Sequence, residues 1–378
     1  MYIELDNMVW LIILGLCLIV TFLFHNQGVP IWLFHQVNSI SNTKPETLET
    51  FFSFLADKKY KTHTLQDIDN LFKAGKKLPS KSLVLTFDDG YYDNYGIVFP
   101  MLKKYNLKAV FFVNTLFIKD KVPRPLDCIQ HSDSVNAHLI SNYFQGLDAD
   151  SAQYITWEEI NEMEASGLVD VQCHSHRHGM VFSTTDFKNI VQSSFISAGD
   201  YFVHQGKVQE GFPLFKMRGE LTAQGYYLED TGKALFKEFV EKNKLKTAVK
   251  KKRLEMGNQF FTADFKNTYI HSYSEEQFKT RVLDDLRENK SQIEAHISNK
   301  KAIGFAWPYG HQSAISVPWI KSLGIQYFFT CKKGTNARSF KKEFIYRMEL
   351  RKVTSFKLIF LTKLNSNLAL GWIYRWLS

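Results

Sequence analysis

Ser82-Leu83-Val84-Leu85-Thr86-Phe87-Asp88-Asp89-Gly90 is a run of apolar and β-branched residues that ends abruptly on two carboxylates and a glycine. Such a run reads as a buried strand whose C-terminal end opens into a turn. A second stretch has the same form. Leu168-Val169-Asp170-Val171-Gln172-Cys173 leads into His174-Ser175-His176-Arg177-His178, which supplies imidazoles four residues apart. Adjacent carboxylates at one strand end and paired imidazoles at another are the components of a hydrolytic metal site.

Working outward, strand and helix patterns alternate. Val29-Pro30-Ile31-Trp32-Leu33-Phe34-His35 reads as a first buried strand ending on a histidine. Residues 45–56 read as a helix with Thr43 as its cap, residues 96–105 as another, and 108–114 as a strand. Thr156 and Glu159 are spaced as a capping box at the head of a helix that runs to Gly167. Further strands are read at 301–307 and 326–330. Strands separated by helices imply parallel β/α units, either a barrel or an open sheet. In both, functional residues gather at the C-terminal strand ends. His35, Asp88, Asp89, His174, His178 and the pair Pro308-Tyr309 all fall at such ends.

The rhythm is lost from 195 to 300, which is read as a helical insertion or lid on the core fold. It includes a helix over 233–245, the basic run Lys250-Lys251-Lys252-Arg253 and an amphipathic pattern over 275–297. Residues 353–378 form an amphipathic tail, with Phe356, Phe360, Trp372, Ile373 and Trp376 among Lys357, Lys363 and Arg375. Interfacial seating and ordinary packing are both open for it. Residues 8–24 (MVWLIILGLCLIVTFLF) are uncharged and apolar, at the short end of a membrane-spanning helix. No Lys or Arg precedes them and no small-x-small pattern follows, which favours an uncleaved single-pass anchor in the cell membrane over a removed signal. The catalytic domain is expected on the extracytoplasmic side.

With 378 residues and 45% hydrophobic content, the chain is long enough for one large domain with a buried core. The net charge of +9 permits attraction to acidic lipid or glycan. No basic stretch carries a nucleic-acid module, so no nucleic-acid partner is expected. Cys17, Cys128, Cys173 and Cys331 show no metal-ligand spacing.

Thr86-Phe87-Asp88-Asp89-Gly90, His174-Ser175-x-x-His178 and Pro308-Tyr309-Gly310 resemble the motifs of the polysaccharide deacetylases, carbohydrate esterase family 4. The opening His35-Gln36-Val37 resembles the branch that includes the bacterial poly-N-acetylglucosamine deacetylases. The resemblance covers residues 29–350. It implies a deformed (β/α) barrel and a metal-dependent hydrolase that removes N-acetyl groups from amino sugars of a surface or exported polysaccharide. A lipid-linked amino sugar is the alternative substrate, and a catalytically silent glycan-binding module the alternative class. Asp89, His174 and His178 would hold a divalent metal, with Zn²⁺ first and Co²⁺, Ni²⁺ or Mn²⁺ also compatible. The resemblance makes Asp88 the general base, and in that branch the opening histidine, here His35, takes the general-acid place that other members fill near the C-terminus, where this sequence has no Leu-x-His. By family analogy the Tyr91 backbone N–H would face the oxyanion. Trp307, Pro308 and Tyr309 would line a sugar-binding wall. Many family members carry an arginine that orients the catalytic aspartate at the position of Ala306, and here Arg218 is the expected substitute.

Overall fold

The computed structural model describes residues 27–122, 124, 132–147 and 152–377. The expected anchor at 8–24 lies outside them. Among the described residues, no helix is long and apolar enough to cross a membrane.

Ser82–Asp89 is a strand with all eight residues buried, as its unbroken apolar run requires. It lies inside a seven-stranded sheet. Ile31–Phe34 pairs with it on one side and Ala109–Asn114 on the other, both parallel. Val169–Ser175, Gly304–Ala306 and Tyr327–Phe329 continue the sheet in parallel. The two-residue strand Lys61–Thr62 pairs with the start of Ser82–Asp89.

The sheet curls into a deformed barrel, and an irregular segment spans its two edges. Ile345 bridges Phe329 of the last strand and Met348 bridges Trp32 of the first, both in parallel. Backbone bonds Thr330 N–H to Ile345 O (2.9 Å), Met348 N–H to Ile31 O (2.8 Å) and Leu33 N–H to Met348 O (2.9 Å) hold this segment in place. Residues 345–348 thus cover backbone groups that two sheet edges would otherwise leave exposed.

Helices pack around the barrel. Pro45–Asp57 buries Leu48, Phe51, Phe52 and Leu55. Its N-cap is Lys44 and not Thr43, because Pro45 is suited to the first helical position. The capping box at Thr156 and Glu159 is present at the head of Trp157–Ala165.

Two features of the expected helical insertion differ. Met180–Ile190, Pro213–Gly219, Tyr226–Leu228 and Ile270–Ser272 form a four-stranded antiparallel sheet, so the departure from the barrel begins before 195 and is not purely helical. Its short strands are interrupted by bulges and loops that obscure their alternation. Glu275–His296 is no lid: Phe278, Val282, Leu286 and Ile293 join the main barrel core. Its apolar positions recur at helical spacing because that face lies on the sheet.

Candidate active site

Asp88 and Asp89 are neighbours, yet they serve different places. Adjacent strand residues point to opposite faces, and Asp89 and Gly90 then leave the strand with φ of 76° and 80°. Glycine adopts that conformation without strain, and a short polar side chain such as aspartate tolerates it better than most. The turn swings the Asp89 carboxylate toward His174 and His178 and leaves Asp88 directed into the barrel.

Asp89 Oδ1 lies 3.3 Å from His174 Nε2 and 3.6 Å from His178 Nε2. One ligand atom from each of the three residues falls within 4.8 Å of the others. His174 Nδ1 is 2.8 Å from the Ala306 carbonyl, which can only accept, so Nδ1 carries a proton and Nε2 is the ring nitrogen that faces Asp89. Asn114 Nδ2 donates to Asp89 Oδ1 at 3.2 Å. Burial opposes charge on Asp89, but His174, His178 and His35 hold its carboxyl far below the usual carboxylate range. Burial likewise opposes charge on His174, yet Asp88 and Asp89 raise it; His178 is pushed down to about 4, chiefly by burial. A carboxylate and two imidazole nitrogens around one point form an N and O donor set that fits a divalent metal ion.

The His174–His178 loop is built by groups from the helix Glu275–His296. Asp285 accepts from the His176 and Arg177 backbone N–H groups, both at 3.0 Å. Asn289 Nδ2 donates to the carbonyls of Val113 (3.0 Å) and Ser175 (2.7 Å), tying two strand ends together. His178 closes the loop with φ of 54°, its N–H donating to Ser175 Oγ at 2.6 Å. Asp285 and Asn289 are polar positions four apart on an otherwise apolar helix face, a signal visible in sequence but unread there.

Asp88 is held by Arg347. Nη1 donates to Oδ1 at 2.6 Å and Nη2 to Oδ2 at 2.8 Å, a two-pronged pair with both side chains buried. Arg347 also donates from Nε to the Thr330 carbonyl (3.1 Å) and from Nη1 to Thr86 Oγ1 (3.3 Å), which fixes its plane. The expected partner, Arg218, is elsewhere: its Nη2 reaches only the Gln312 carbonyl, at 3.5 Å. Its strand belongs to the separate antiparallel sheet, whereas Arg347 sits on the segment that spans the barrel edges.

His35 is half-exposed, with Nδ1 3.7 Å from Glu349 Oε1. The loop after it is strapped down by Asp93. Asp93 Oδ2 accepts from Val37 N–H (3.0 Å) and Asn38 Nδ2 (2.7 Å), and Oδ1 from Asn94 Nδ2 (2.9 Å). Burial raises the Asp93 carboxyl to about 6 despite these donors. A folded-state value above the ordinary 3.8 favours the protonated form, so this contribution to stability is full below about pH 4 and lost as pH rises through about 6. Urea unfolding across that window should show wild-type stability falling relative to Asp93→Asn; parallel curves would refute the assignment.

A cavity of about 770 Å³ joins these groups, with His35, Asp88, Asp89, His174, His178 and Tyr309 on its wall. Phe117, Ile140, Met180 and Phe202 give it an apolar side. The Tyr309 ring lies 4.2 Å from the His178 ring, tilted by 47°, and its hydroxyl donates to the His178 carbonyl at 2.7 Å. It is 40% exposed, whereas Trp307 is buried against Phe305, so of the two only the tyrosine offers a broad surface to a ligand. Tyr91 stacks on Tyr154 at 5.2 Å beside the Gly90 turn. Cys173 faces the core, its thiol pushed up to about 12 by burial, and takes no part in the metal cluster.

The structure is a parallel α/β barrel with an Asp-His-His cluster, suited to holding a divalent metal, at its C-terminal strand ends. Residues 75–193 match the family described as Polysaccharide deacetylase. A Bacillus subtilis protein, YxkH, whose name assigns it to the polysaccharide deacetylases, is 33% identical over 121 residues, 30% of this chain and 43% of that one. The Escherichia coli K12 poly-β-1,6-N-acetyl-D-glucosamine N-deacetylase is 21% identical over 294 residues, 78% of this chain and 31% of its own. The chain therefore spans less than half the length of these relatives. Among solved structures, a de-N-acetylase from Aggregatibacter actinomycetemcomitans shares the fold with a TM-score of 0.56 at 20% identity, covering 88% of this chain and 99% of that one. The deacetylase domain of BpsB from Bordetella bronchiseptica aligns with a TM-score of 0.53 at 17% identity, over 85% of this chain and 96% of its own. Residues 75–193 thus carry the likeness to the polysaccharide deacetylase family, and the solved structures show that the surrounding chain shares the fold.

Proposed function

We propose that the protein hydrolyses the N-acetyl groups of an amino-sugar polysaccharide at the cell envelope, anchored in the membrane by residues 8–24. The observation that carries this reading is the convergence of the Asp89-His174-His178 cluster, the Arg347-held Asp88 and His35 on one cavity. Asp89, His174 and His178 would hold a divalent cation, with Zn²⁺ as the first choice, which when bound would supply Lewis-acid polarisation.

The chain's own groups do the rest. Asp88 accepts the proton of the attacking water as the new C–O bond forms. The backbone N–H of Tyr91 faces the oxyanion of the tetrahedral intermediate. His35, oriented by Glu349, gives a proton to the sugar nitrogen as the C–N bond breaks, releasing acetate and a free amine. Tyr309 offers a ring face on which a pyranose stacks.

Free-amine release from N-acetylglucosamine oligomers is expected with added Zn²⁺ or Co²⁺, to be abolished by a chelator and restored by the metal. Oligomer binding with no amine release under any metal would overturn the reading in favour of a glycan-binding module.

A further inference from the structure

The helix Leu368–Leu377 (LALGWIYRWL) turns large apolar side chains outward. Trp372 is 64%, Trp376 79% and Leu377 74% exposed, with Leu370 and Ile373 also open. The helix is firmly held all the same. Gly371 packs so closely on Thr335 that a Cβ there would collide with it. Arg375 Nη1 donates to the Tyr346 hydroxyl at 2.7 Å, and its guanidinium lies 4.3 Å over that ring. These anchors fix which face looks away from the protein. Single exposed apolar residues need no explanation, but a contiguous set on one rigid helix does.

The place of this helix says what covers it. Gln27, where the described chain begins, bridges Asn367 in the turn just before the helix, and Gly28 N–H donates to the Ser366 carbonyl at 2.8 Å. The apolar segment 8–24 ends three residues upstream of Gln27. Three extended residues reach at most about 10 Å, comparable with the depth of a lipid headgroup layer. With 8–24 in a bilayer, the head of this helix is held close to the membrane surface. The chemistry agrees. Tryptophan prefers that interface, no Asp or Glu occurs in Ser355–Asn365 or Leu368–Leu377, and the first of these helices exposes Lys357 and Lys363 beside Phe356 and Phe360.

We propose that Leu368–Leu377 lies on the membrane as a second contact, its Trp372–Trp376 face seated at the headgroup–acyl boundary of an anionic bilayer. The inference rests on the proposed anchor, not on the enzymatic reading. The test places the photo-crosslinker benzoylphenylalanine singly at positions 14, 372, 376, 249 and 315 of the full chain in phosphatidylcholine–phosphatidylglycerol vesicles. Val249 and Ile315 are exposed apolar controls, at 72% and 62%. Lipid adducts at 372 and 376 should exceed those at 249 and 315 at least about tenfold. Adducts at 14 with none at 372 and 376 would overturn the surface contact and leave the anchor standing. Adducts from 372 or 376 into residues 8–24, or into a second copy of the chain, would overturn it in favour of protein packing. Absence of lipid adducts at all three positions would overturn anchor and contact together.

Discussion

Replacing Arg347 with alanine is expected to destabilise the protein by about 3–5 kcal/mol, the usual cost of stranding one partner of a buried ion pair. Asp88 would be left inside the barrel without the two-pronged donor now at 2.6 and 2.8 Å. Thr330 and Thr86 would also lose a bond each. Free-amine release should fall by at least about 10²-fold in the fraction that remains folded, since a proton-transfer group that is no longer aimed forfeits much of its effect. Arg347→Lys should rescue little, because an ammonium cannot present two parallel N–H groups to one carboxylate. Denaturant unfolding and steady-state rates check both parts. A loss below about 1 kcal/mol with activity unchanged would show that the pair neither holds the barrel edge nor orients Asp88.

Asp88→Asn is expected to lower kcat by about 10²- to 10⁴-fold, the range for removal of a general base, with metal stoichiometry unaltered. The amide matches the carboxylate in shape, and the metal cluster draws on Asp89, His174 and His178 alone. The Nδ2 group would face an Arg347 donor, so a loss of about 1–3 kcal/mol in stability should accompany it. Asp88→Asn combined with Arg347→Met should then cost less than the sum of the single changes, since the two residues share one bonded pair. Full activity with metal retained would exclude Asp88 as the base.

The metal cluster was legible in sequence because each half is local. A buried strand must end somewhere, and polar residues placed at that end can only face the rim where strands converge. Asp88-Asp89-Gly90 and His174-x-x-x-His178 therefore declared both their chemistry and their position. The partner of Asp88 was not legible. Arg347 is 259 residues away in sequence, on a segment with neither helical nor strand periodicity. Its proximity follows from backbone bonds that join residues 345–348 to both sheet edges. Arg218, nearer in sequence, belongs to another sheet. Glu275–His296 falls within the expected insertion or lid because amphipathicity reveals that a face is buried but not what buries it; that face carries Asp285 and Asn289 to the histidine loop.

The amino-acid sequence by itself determined which polar groups lie at the strand ends, because burial and strand periodicity act over a few residues. Tertiary structure alone decided what orients them: Arg347 on Asp88, the Ala306 carbonyl on His174, and Asp285 beneath the loop. Those contacts arise from barrel curvature, which brings together segments that no local rule of spacing relates.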